Sequence, residues 1–447
     1  LRTQNAQGAD SSAASGTANN GVGQANSTGA QKLPNVNPTG AQKFQVAAAV
    51  GLNITNHKAT TTVAGNVSGA NVRIFSTNHG NFKTLGTGMA MSQARNANSI
   101  AAAVAISVDG NEAITLVSGD ITAKKTEKSG TTLGDVQFES DLTQNMDGAY
   151  KGLLAAQALA GAVSGAGKVS IAGSLAIVVD NAKSKVIVAM LDGNGNDIAT
   201  KSNNIRIEGG NIRISASDKT KLAIRAGGVS LSKGSKAGVG AAFGLVYGND
   251  QVTVQIGNYT DIRGESLEIT ANKLRVDRSD FESAIQAGTF ITDTSKLTDE
   301  EKANAKTGFI NLDKRGEDGS YTLDVNVSTS DALSLVNALN VFSSANYYVD
   351  AVAGSIMSSQ ASATGTSSAS VAGSVAMIFF KNQVLAQLGR GVCVTLTGDK
   401  SQNPGMTLEA KDDANVRVLA GSLSAAPSKA GVGVTVGCVS NQDVVEA

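Results

Sequence analysis

What most constrains this chain is that it repeats itself. Ala48-Ala49-Val50-Gly51-Leu52 returns as Ala241-Ala242-Phe243-Gly244-Leu245, and more loosely as Val434-Thr435-Val436-Gly437-Cys438; the three glycines are equally spaced. Upstream of the last two copies, Ser235-Lys236-Ala237-Gly238-Val239-Gly240 recurs letter for letter as Ser428-Lys429-Ala430-Gly431-Val432-Gly433. A second, related unit interleaves with the first. Val169-Ser170-Ile171-Ala172-Gly173-Ser174-Leu175-Ala176-Ile177 resembles Ala369-Ser370-Val371-Ala372-Gly373-Ser374-Val375-Ala376-Met377, with a looser copy from Ser99 to Ile106. Polar punctuation follows each copy: Asp109-Gly110-Asn111, Asp180-Asn181, Lys381-Asn382. It recurs roughly every 55–70 residues, with one beat blurred between Asn249 and Asn382, and such self-similarity marks an array whose units pack against their neighbours.

Within a unit the period is two. Ile171, Leu175, Ile177 and Val179 alternate with Ser170, Ala172, Ser174 and Ala176, a strand with one bulky face and one small face. Ile205-Arg206-Ile207 and Ile212-Arg213-Ile214 repeat the pattern on either side of Gly209-Gly210, where glycine allows a tight corner. The expected fold is all-β, a right-handed parallel β-helix whose coils bury a Val/Ile/Leu stack and carry a short insertion with helical elements. The competing arrangement is a series of antiparallel hairpin or sandwich units, with Asp180-Asn181 as a tight reversal. Phrases of this kind running for hundreds of residues favour the solenoid.

Four segments follow. Residues 1–40 are rich in Ser, Gly, Ala and Asn and read as a tail or irregular solenoid; 41–279 and 346–447 are β-helix repeats, the second continuing beyond the chain's end. Between them, 280–345 is an insertion of higher charge density. There Thr298-Asp299-Glu300-Glu301 is a capping-box candidate, and Asp331 to Val341 has helical spacing. Tyr150 to Ala156 suggests another short helix.

Composition removes several functions. Lys+Arg and Asp+Glu each number 37, giving no basic face for nucleic acid. No apolar run is long enough to span a bilayer, and membrane insertion is not expected. Hydrophobic residues make up 41% of the chain, but Trp is absent, so the interior is one of small and branched side chains. Cys393 and Cys438 read as buried thiols, or as one disulfide if they lie on stacked coils. The chain starts at Leu1 and reads as a piece of something longer.

From Val169 to Asn181 the chain resembles the repeats of very large Gram-negative surface proteins: the leukotoxin-like filamentous adhesins and, more broadly, autotransporter and two-partner-secretion passengers. The resemblance covers much of the chain from about Gln45, outside the insertion. It implies an extracellular or bacterial cell-surface location, adhesion to a receptor or glycan on a host or neighbouring cell, and self-association through the repeats. It carries over no catalytic residue.

The residues supply little chemistry of their own. Asp192-Gly193-Asn194-Gly195-Asn196-Asp197 has alternating oxygen ligands suited to calcium, but Asp197 stands where the EF-type loop needs glycine, and Asn203 where it needs a bidentate glutamate. An Asx-rich turn is the plainer reading. His57 and His79 are the only histidines, and both read as exposed loop residues rather than catalytic bases. The acidic pairs near Asp299-Glu300-Glu301 and Glu317-Asp318 read as solvated charge, against a polysaccharide lyase or hydrolase. Gly227-Gly228 and Gly238-Val239-Gly240 read as close packing, not phosphate cradles. The expectation is a structural and adhesive segment with no enzymatic activity, no cofactor and no metal; a self-assembling filament or sheath subunit is the nearest alternative.

Overall fold

Strict alternation turns every second side chain to the same side, so these runs are at their most favourable as strands. The computed structural model describes residues 2–6, 10–17, 44–80, 82–95, 98–127, 130–144, 153–166, 169–233, 237–274, 310–315, 321–323, 347–358, 369–398, 405–425 and 430–447. Sheet 1 consists of Arg2–Ala6, Val72–Gly80, Val136–Gln144, Asn211–Lys219, Ser266–Lys273 and Met406–Asp412. Sheet 2 consists of Asp10–Thr17, Phe82–Arg95, Leu153–Ala166, Lys221–Lys233, Tyr347–Ser358 and Val416–Ala425. Sheet 3 holds Phe44–Thr55, Asn98–Asp109, Val169–Asp180, Ala237–Gly248, Ala369–Phe380 and Gly431–Asn441. Sheet 4 holds Lys58–Val63, Glu112–Val117, Lys183–Val188, Gln251–Ile256, Gln383–Leu388 and Val444–Glu446. The short sheet 5 stacks Val67–Gly69, Ile121–Glu127, Arg206–Glu208, Asp261–Gly264 and Cys393–Leu396, with Gly130–Leu133 antiparallel at one edge.

The chain visits the sheets in the order 1 to 5 and then begins the next tier. Every pairing between tiers is parallel. The fold is thus all-β, made of parallel sheets of stacked strands. Asp180-Asn181 is not a hairpin, because Val169–Asp180 and Lys183–Val188 lie in different sheets and each pairs with the tiers above and below.

The register explains the repeats. Gly51, Ala105, Ala176, Gly244, Ala376 and Gly437 form one column of sheet 3. The two interleaved units are therefore one structural unit, worded one way in tiers 1, 4 and 6 and another way in tiers 2, 3 and 5. The blurred beat falls in tier 5, where the chain departs after Lys273 and rejoins at Tyr347. The two repeat segments form one stack across it, Ala237–Gly248 pairing directly with Ala369–Phe380. Within the insertion the described residues are Ile310–Arg315 and Tyr321–Leu323, an antiparallel strand pair. The helix candidates Thr298–Glu301 and Asp331–Val341 lie outside the described residues.

One expectation needs correction. Leu153–Ala156 is strand rather than helix: it pairs with Phe82–Thr84 and Lys221–Ile224 on its two sides, and ladder formation overrides the helix propensity of Leu and Ala. Of residues 1–40, the described Arg2–Ala6 and Asp10–Thr17 are strands joined to sheets 1 and 2, in keeping with the irregular-solenoid alternative.

The interior has two parts. Sheets 1, 4 and 5 bury branched and aromatic side chains, among them Ile74, Phe138, Val186, Ile207, Ile214, Val254 and Ile269. Sheets 2 and 3 bury mostly alanine, including Ala101, Ala103, Ala105, Ala156, Ala158, Ala160, Ala172 and Ala176.

Candidate functional site

Sheet 3 reverses the expected polarity of its faces. The small residues point inward and the bulky ones outward: Ala172 and Ala176 are buried, whereas Ile171, Leu175 and Ile177 are half-exposed. The cause is the close approach of sheet 2. A Cβ on Gly86 would lie 2.4 Å from the Val104 carbonyl oxygen, one on Gly88 2.2 Å from that of Ala102, and one on Gly228 1.9 Å from that of Ala241. Along this stretch the two backbones are nearly in contact, leaving room for little beyond Gly, Ala and Ser, whereas toward the corner with sheet 4 the gap takes Val178, Val246, Ile378 and Phe380 from sheet 3 and Leu222, Ile224 and Val349 from sheet 2. Gly227-Gly228 and Gly238-Val239-Gly240 belong to this seam: a Cβ on Gly240 would lie 2.1 Å from the Gly354 carbonyl oxygen.

Outside, five columns of side chains run across the six strands. One is Val46, Ile100, Ile171, Val239, Val371 and Val432; another is Val50, Val104, Leu175, Phe243, Val375 and Val436. Between them runs a column of small residues, Ala48, Ala102, Gly173, Ala241 and Gly373, ending in Val434 in the sixth tier. The remaining two start at Leu52 and Ile54, and the side chains with a polar group among the five columns are Tyr247, Cys438 and Ser440. Exposure is greatest at the first and last tiers, where Ile54 is 67% and Val434 56% exposed.

Sheets 1, 4 and 5 present charge instead, with opposite signs in adjacent tiers. Glu112 lies between Lys58 (3.1 Å) and Lys183 (2.7 Å), Arg73 meets Glu139 at 2.8 Å, and Asp261 takes Arg206 of the adjacent tier at 3.3 Å and Arg263 of its own strand at 2.9 Å. Burial pushes the Glu112 carboxyl up, but its two lysines outweigh burial and hold it below the usual range. Exposed pairs of this kind add little stability individually, though in parallel stacking they penalise a slipped register.

The corner joining sheets 3 and 4 is polar inside. Its stacked column is His57, Asn111, Ala182, Asp250, Asn382 and Asp443, and the carbonyls of the first five each accept from the next tier. The side chains add a second ladder: Asn111 Oδ1 accepts from His57 N at 2.9 Å, Asp250 Oδ1 from Ala182 N at 3.0 Å, and Asp443 Oδ1 from Asn382 N at 2.8 Å. An Asx oxygen thus satisfies a corner N–H that no strand can reach.

Beside this ladder lies a buried charged cluster. Lys273, at the end of sheet 1, donates to Asp218 Oδ2 at 2.6 Å and also to Asp250 Oδ2; all three are almost fully buried. Thr220 donates to Asp218, and Thr55 donates to Asp109 Oδ1 at 2.7 Å. Asp180 is fully buried, and neither of its carboxyl oxygens has a hydrogen-bond partner. Burial, then Asp250, Asp109 and Asp218, push it well above the usual carboxylate range, with Lys273 opposing. Asp412, next to Lys273 in the register, is pushed to about 6, chiefly by burial. The polar punctuation between repeats is therefore partly interior.

The remaining candidates are scattered. His57 is half-buried in the connection between sheets 3 and 4. His79 is not in a loop but in strand Val72–Gly80, where Nε2 sits 3.1 Å from Asp141 Oδ2. Asp141 also accepts from Ser217 at 2.8 Å and Thr143 at 2.9 Å; burial raises it, and these partners, led by His79, bring it below the ordinary value. Asp192 Oδ1 accepts from the N–H groups of Asn194 and Asn196, both at 2.8 Å, while Asp197 Oδ2 accepts from Asn258 N at 2.6 Å. The Asp192 oxygen serves the local backbone, as an Asx turn requires, and Asp197 Oδ2 ties the turn to the next tier. Cys393 in sheet 5 and Cys438 in sheet 3 are free thiols, and their strands do not pair. Asp299-Glu300-Glu301 and Glu317-Asp318 lie outside the described residues. Among the described residues no His, Cys, Asp and Glu side chains group as a metal site, and no helix is long and apolar enough to cross a membrane.

Sequence reasoning missed the Lys273 cluster and the outward apolar face. Lys273 carries no local signal, since its partners are Asp218 and Asp250 on other strands. The face was visible as alternation without its direction. No protein-family model, curated protein or solved structure matches the chain.

Proposed function

We propose that this chain is a segment of right-handed parallel β-helix, serving as a stiff structural and adhesive element of a large secreted or cell-surface bacterial protein. The observation that carries the reading is the parallel pairing of strands through six tiers, which turns a repeated sequence into an extended body growing about 4.8 Å per tier. Right-handed coiling is the hand that parallel crossovers adopt. Its broad faces suit shallow, repeated contacts with a receptor or glycan on a host or neighbouring cell.

Two features support a non-enzymatic role over a polysaccharide lyase or hydrolase. The carboxylates that converge, Asp180, Asp218 and Asp250, are buried rather than set in an open groove. The broad face of sheet 3 offers no acid–base pair. The test immobilises the whole chain and probes it with a glycan array and intact epithelial cells, alongside an assay for release of unsaturated or reducing sugar ends from acidic polysaccharides. Saturable binding without sugar release supports the reading. Turnover of any polysaccharide would replace it with the enzyme.

A further inference from the structure

We propose that the outer face of sheet 3 is a pairing surface for a second copy of this chain, face to face about a twofold axis. The inference rests on the stacked-sheet architecture and does not need the adhesive reading.

Size is the first argument. Strands of 12 residues across six tiers make a face on the order of 1,000 Å², from about 3.3 Å per residue and 4.8 Å per strand, against about 800 Å² per partner in a stable pair. Charge is the second. A twofold pair sets each patch against itself, so any like-charged group would be opposed by its own copy; this face carries none. A foreign partner would need polar groups to fix its position, and the five columns offer few, the Tyr247 and Ser440 hydroxyls and the Cys438 thiol, all along one side of the face.

Shape is the third argument and the most specific. The small-residue column forms a trough between two ridges of branched and aromatic side chains through the first five tiers, closed by Val434 in the sixth. The chain's own packing does not require it. A Cβ on Gly173 would meet nothing within 4 Å, and one on Gly373 would meet only the Val434 carbonyl oxygen at 3.9 Å. Glycine weakens a strand interior, so its presence in open space calls for a neighbour outside the chain. The ridges lie one column, roughly 7 Å, from the trough. A copy turned about the twofold can therefore seat its ridge there, as the side chains of packed sheets interdigitate.

The test is sedimentation equilibrium on the whole chain, comparing wild type with Gly173→Lys/Gly373→Lys and with Thr253→Lys. The last adds charge to the outer side of sheet 4. Wild type and Thr253→Lys should form dimers, and the double variant should dissociate about 100-fold more readily or be monomeric, with an unchanged β-sheet circular dichroism spectrum. Leu175→Gln, a milder change on the ridge, should weaken pairing in the same direction. A monomeric wild type overturns the proposal, whether or not it floats with phosphatidylcholine vesicles, and an intact spectrum would then leave the rod reading standing. Dimers or larger assemblies indifferent to the double variant also overturn it, by placing the contact elsewhere.

Discussion

The two halves of the interior solve the same packing problem in opposite ways. Where sheets 1, 4 and 5 meet, the bulky side chains turn inward and charged ladders cover the outside. Along most of the seam between sheets 2 and 3, glycine and alanine turn inward, the backbones nearly touch, and the bulky side chains of sheet 3 lie outside; only near the corner with sheet 4 do Val178, Val246, Ile378 and Phe380 turn in. The difference teaches that alternation defines two faces, while the spacing of the opposing sheet decides which one is buried.

The largest effect that would break this comparison is expected at the narrow seam. Gly228→Val puts a branched side chain where a Cβ alone lies 1.9 Å from the Ala241 carbonyl oxygen, and should cost at least about 4 kcal/mol or abolish folding. Urea unfolding or soluble yield reads it. At the corner between the halves, Lys273→Met leaves Asp218 and Asp250 buried without their shared cation and should cost about 3–5 kcal/mol. In the wide half, Phe138→Ala opens a cavity and should cost about 3–4 kcal/mol by the same measurement.

A smaller effect of opposite sign is expected at Asp180. Its raised value means that the folded state holds a proton which the unfolded chain releases, so its contribution is fully present at low pH and is lost as pH rises. Asp412 behaves alike, its contribution fading between 3.8 and about 6. Asp180→Asn should gain about 1 kcal/mol at pH 7 and none at pH 3, since the amide needs no proton. Thermal midpoints of variant and wild type that differ equally at both pH values would remove the titration from the explanation. The smallest effect is at Gly173→Ala, where the added methyl meets open space and stability should stay level or rise by about 0.5 kcal/mol.

Much of the architecture was legible in the chain. The equal spacing of Gly51, Gly244 and Gly437 and the shared phrase around Gly173 and Gly373 are the columns of sheet 3 written in sequence. The direction of that sheet was not legible. Ile171, Leu175 and Ile177 look like a core by transfer energy, and only Gly86, Gly88 and Gly228 on the neighbouring sheet explain why they are outside. The corner was half legible: Asp109, Asp180 and Asp250 stand out as punctuation, but their burial depends on Lys273 and Asp218, which arrive from sheet 1. At Leu153–Ala156 local propensity pointed to a helix, and pairing on both sides of the strand prevailed.

The reversed faces of sheet 3 are the central claim, and thiol accessibility along Val169–Asp180 tests them most directly. Single cysteines at positions 171, 172, 174, 175, 176 and 177, in a background without Cys393 and Cys438, would be labelled at protein concentrations low enough to keep copies apart. The account predicts rapid modification at 171, 175 and 177, with 172, 174 and 176 reacting only on unfolding. The opposite phase, or no alternation, would contradict it.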